Sequence, residues 1–90
     1  MHAESKSDLA KIYHHRALVY RKDRNNELAL ADYGEALKID PEYTDTYLSR
    51  ALLFQKDEQY EAAIADYSRA IELQPEHPEA FYNRGLLYRK

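Results

Sequence analysis

The chain has 90 residues, with 16 Asp and Glu against 13 Lys and Arg and a formal net charge of -3. That size allows one small domain whose single core would be only marginally stable, and the acidic balance lacks the overall basic bias of a nucleic-acid binder. The absence of Cys excludes a disulfide framework or a Cys-ligated metal, and two Gly and three Pro leave no room for long flexible linkers.

Residues 1–9 form an N-terminal extension whose MHAESKS start is polar and without period, so fraying is expected there. Ser7 or Asp8 is placed to cap the first helix. Leu9, Ile12, Tyr13, Ala17, Val19 and Tyr20 then recur at helical spacing, and Arg21 and Lys22 sit where a helix C-terminus favours cations. This predicts a first helix near 8–22. After the polar break DRNN a second helix is expected near 25–39, ended by Asp40-Pro41 because a residue before proline is pushed out of the α region. A third is expected near 43–56. A fourth, near 59–73, carries Ala63, Ile64, Tyr67, Ala70, Ile71 and Leu73 and stops at Pro75. The fifth, near 78–89, opens on Pro78, which suits a first helical turn.

Residues 44–77 repeat residues 10–43, with 14 of 34 positions identical. A third unit, 78–90, continues the phase, since Phe81, Gly85 and Tyr88 fall where Tyr47, Ala51 and Phe54 do, and where Tyr13, Ala17 and Tyr20 do. Small residues recur where paired helices cross: Ala17 against Ala29, and Ala51 against Ala63, with aromatic rings beside them. Tyr33, Ala36 and Pro41 recur as Tyr67, Ala70 and Pro75. A 34-residue helix pair with these residues in phase resembles the tetratricopeptide repeat over residues 10–90. The resemblance implies an all-α solenoid of about five antiparallel helices wound as a right-handed superhelix. Two departures from the family pattern stand out. Arg16, Arg50 and Arg84 occupy a place that is Leu in the family, while Asp32 and Asp66 recur on the second helices; Arg50 is expected to pair with Asp32 or Asp66. Arg24 and Glu58 stand where the family often has Gly in the turn inside each unit, so a positive φ there would be strained, and a different turn is the alternative.

In solenoids of this kind the first helices line a concave face. With their turns they hold nine Lys or Arg and four Asp or Glu, against three basic and ten acidic residues in the rest of the repeats. The groove is therefore expected to be relatively basic and the back acidic. The resemblance places Lys11, His14, Leu18, Arg21 and Lys22 in it from the first unit. Leu48, Leu52 and Lys56 join them from the second, and Tyr82, Asn83, Leu86 and Arg89 from the third. Leu18, Leu52 and Leu86 make an apolar stripe beside a basic rim, which suits a partner peptide or helix with apolar anchors and acidic residues. The opposing reading is that these leucines pack within the superhelix. The family's carboxylate clamp is not reproduced, because only Asn83 among the corresponding residues has the right chemistry.

The ends carry a second expectation. Phe81 and Tyr88, and at the front Ile12 and Val19, mark faces that neighbouring helices would cover. The chain is then either part of a longer array or covers these faces by self-association, including a helix swap. A structural, self-assembling role is thus the alternative to partner binding.

Catalysis is not expected. His14 and His15 are adjacent and diverge by about 100° on a helix, with no His, Asp or Glu a turn away, so neither a metal nor any other cofactor is expected. No phosphate loop or nucleophile motif occurs. Tyr interleaved with Arg and Lys on the first helices makes RNA binding a lesser alternative, since most of those tyrosines sit at packing positions. No membrane-spanning or signal segment is legible, which makes the cytoplasm the default location.

Overall fold

The computed structural model describes residues 6–88, which form five helices: α1 (Lys6–Lys22), α2 (Asn26–Ile39), α3 (Thr44–Lys56), α4 (Tyr60–Leu73) and α5 (Pro78–Tyr88). No strand occurs among the described residues. The helices agree with the expected ones to within a residue or two. The exception is the front: α1 already runs through Ser7 and Asp8, so neither is its cap. Asp8 instead lies in the first turn, where its charge complements the helix dipole.

The turns inside the helix pairs are alike. After α1, the Asn25 N–H donates to the Tyr20 carbonyl at 2.8 Å and the Arg24 N–H to the Arg21 carbonyl at 2.9 Å. After α3, Gln59 donates to Phe54 at 2.8 Å and Glu58 to Gln55 at 3.0 Å. This six-to-one and five-to-two pattern closes a helix through one left-handed residue, usually glycine. Here Arg24 and Glu58 take that place, at φ 63° and 61°. Of the alternatives left open by the sequence, the strained one is realised. Between α2 and α3, Asp40 stops the helix: its backbone N–H donates to the Ala36 carbonyl, and its carboxylate accepts from the Glu42 N–H at 3.1 Å.

The chain divides into two compact units, Met1–Thr46 and Tyr47–Lys90. The first packs α1 against α2, with Ala10, Ala17, Ala29, Tyr33, Ala36 and Leu37 buried. In the second, Ala51, Ala63, Tyr67, Ala70, Ala80 and Leu87 form one buried cluster from α3, α4 and α5. The recurring alanines have no accessible surface, as close helix approach requires. Tyr47, Phe54, Tyr60 and Ile64 pack around that cluster as half-buried apolar side chains.

Candidate functional site

The arginines that depart from the family pattern are held by carboxylates one helix away. In the first unit Arg16 of α1 donates from Nε to Asp32 Oδ2 at 2.6 Å and from Nη2 to Oδ1 at 2.9 Å. In the second unit Arg50 of α3 makes the same two bonds to Asp66 of α4, at 2.7 and 2.9 Å. Two parallel N–H donors matched to two carboxylate oxygens are the strong form of this contact. It raises the proton affinity of both guanidiniums and keeps them charged. Two aromatic rings flank Arg16, Tyr13 and Tyr20 at 5.6 and 5.8 Å, and one, Phe54 at 5.7 Å, lies beside Arg50. Arg84 of α5 has its rings, Phe81 at 5.7 Å and Tyr88 at 5.8 Å. Instead of a carboxylate it meets the Ser68 hydroxyl of α4, at 3.1 Å.

His14 corrects an expectation. It is buried, with 6% of its surface accessible, and is not a groove side chain. A 2.8 Å hydrogen bond joins its Nδ1 to Thr46 Oγ1, while the rings of Tyr43 and Tyr33 lie 5.1 and 5.7 Å away. Burial pushes its pKa down, with the charges of His15 and Arg21 acting the same way and Asp45 opposing them. Thr46 and Tyr43 carry no repeat signature, so this cluster had no signal in the sequence.

Tyr67 is its polar counterpart in the second unit. Its hydroxyl donates to Gln55 Oε1 at 3.0 Å and is hydrogen-bonded by Asn83. Burial, helped by the Glu79 charge, pushes its pKa up to about 12. Asn83, expected to face a partner, is thus tied into the junction of α3, α4 and α5.

The remaining expected groove residues are distributed over three helices. On α1, Lys11 and Lys22 are exposed and Leu18 and Arg21 are half-buried; the spacing puts Lys11, Leu18 and Lys22 on one side of the helix. On α3, Lys56 is exposed, while Leu48 and Leu52 pack at the margin of the second unit's core. On α5, Tyr82 is 68% and Leu86 37% exposed. Arg89 lies outside the described residues. Ile12, Val19, Phe81 and Tyr88 are all exposed. So are Leu9 and Leu28, neither of which was expected to serve a surface role.

Among the described residues no group of three or more His, Asp or Glu is placed to hold a metal ion, and no helix is long and apolar enough to cross a membrane. A family model described as TPR repeat matches residues 18–58 and again 57–90. No curated protein matches the chain.

Proposed function

The chain belongs to the tetratricopeptide-repeat family, whose repeats are in general non-catalytic protein–protein interaction modules, and on that premise we propose that it binds a partner protein through its first helices. The reading rests most on Tyr82 and Leu86, an aromatic and an aliphatic side chain left in solvent on the same side of α5. Leu18 and Leu52, half-buried at the corresponding places of α1 and α3, add apolar contact. Lys11 and Lys22 on α1 and Lys56 on α3 supply exposed positive charge. The partner segment that fits is an extended or helical peptide with apolar anchors and acidic flanks.

Selection of displayed random peptides on the chain tests this. Peptides with apolar anchors and Asp or Glu flanks are expected, their affinity falling as salt rises. Lys56→Glu and Tyr82→Ala are each expected to weaken them by about tenfold, the loss of roughly 1.4 kcal/mol. Selected peptides indifferent to both substitutions would place binding elsewhere.

A further inference from the structure

We infer that His15 tunes the partner-binding face by pH, so that an acidic segment bound along α1 is held more tightly below neutral pH. This rests on the reading that α1 contributes to that face. His15 lies four residues after Lys11, three before Leu18 and seven before Lys22, so the four share one side of the helix. Lys11, His15 and Lys22 are exposed and Leu18 is half-buried, whereas the neighbouring His14 turns into the core. A histidine thus stands between two lysines and beside an apolar residue.

One hydrogen bond decides how the ring meets a partner. The His15 Nδ1 lies 2.8 Å from the Lys11 carbonyl oxygen. A carbonyl oxygen only accepts, so Nδ1 carries a proton whether the ring is neutral or charged. Nε2 therefore presents a lone pair in the neutral ring and an N–H in the charged one. A partner carboxylate meets an acceptor in the first state and a charge-assisted donor in the second. Imidazole is the side chain whose ordinary charge change falls between about pH 5 and 8, while the two lysines keep the face positive throughout. Around the ring, Asp8 lies about two turns earlier on α1. Arg16, the next residue, is engaged by Asp32 of the packed helix α2. The His14 ring stands nearly perpendicular at 5.7 Å, with Arg21 and with Asp45 of α3 acting on it in opposite senses. A charge on His15 lowers the proton affinity of His14, so the exposed ring charges while the buried one stays neutral.

Calorimetric titration of the whole chain with a selected peptide carrying apolar anchors and Asp or Glu flanks, at about pH 7.5 and about pH 6, tests the inference. Affinity is expected to rise about threefold at the lower pH, as suits one solvent-exposed ion pair. Binding should also take up protons, seen as a heat that changes with the ionisation enthalpy of the buffer. His15→Gln should lose both the rise and the proton uptake, and so should a peptide whose flanking Asp and Glu are replaced by Asn and Gln. His14 is present in the wild type and in His15→Gln alike, so the difference between them reports His15. Equal pH responses in the two chains, or peptide binding without proton uptake, would overturn the inference and leave the first-helix reading standing. A chain that binds no selected peptide at either pH would remove that reading, and this inference with it.

Discussion

Arg50 grips Asp66 with two parallel hydrogen bonds across 16 residues, at 2.7 and 2.9 Å, and Arg16 grips Asp32 across the same interval. The pairs differ in their surroundings. The Arg16 side chain is 56% exposed and that of Arg50 24%, while both carboxylates are buried. After Asp32→Ala, Arg16 can rehydrate in full, so the smaller cost of the two is expected. After Asp66→Ala, Arg50 stays partly desolvated without a partner, and roughly 2–3 kcal/mol is expected. Urea unfolding of both variants measures the difference. Equal costs, or a larger cost at Asp32, would contradict the role given to burial.

Arg24 and Glu58 hold the left-handed place of a glycine-type helix end. An L residue there costs roughly 1–2 kcal/mol, and glycine's extra freedom in the unfolded chain cancels part of the relief. Glu58→Gly should therefore stabilise the second unit by about 0.5–1 kcal/mol, and Arg24→Gly the first. A drop in thermal midpoint for both would mean that these side chains make contributions outweighing the backbone strain.

The helix boundaries after the start of α1, the alanine crossings and the Arg50–Asp66 option were legible in the sequence, because each recurs in phase with a direct physical meaning. The place of His14 was not. The same repeat place holds Leu48, packed at a core margin, and Tyr82, largely in solvent. What buries His14 is Tyr43 and Thr46, some thirty residues along the chain, and periodicity within one helix carries no information about them. Ser7 and Asp8 show a second limit: cap-forming residues serve equally in a first turn, so composition alone set the start of α1 too late.

Below neutral pH the first unit should weaken. Burial holds the His14 pKa below its ordinary value of 6.5, so the unfolded chain takes up the proton first. The stabilisation is fully present above pH 6.5 and is lost as pH falls through the lowered pKa. Thermal midpoints measured from pH 7.5 downward should decline more steeply for the wild type than for His14→Leu. Parallel slopes would show that another group dominates.

At alkaline pH the second unit has its own limit. Tyr67 ionises at about 12 when folded, above its ordinary value of 10.0, so folding binds the proton more tightly. Stability is full below pH 10 and is lost as pH rises toward 12. Tyr67→Phe should flatten this decline while lowering stability at neutral pH by about 1 kcal/mol, the value of a lost buried hydrogen bond. An unchanged alkaline decline in the Phe variant would exclude Tyr67 as its source.

The proposal that the first helices bind the partner is tested most directly by amide chemical-shift mapping of the chain with a selected peptide. The account predicts shifts concentrated at Lys11, Leu18, Leu52, Lys56, Tyr82 and Leu86. Shifts concentrated instead on the acidic second helices, around Glu35, Glu61 and Glu72, would contradict it.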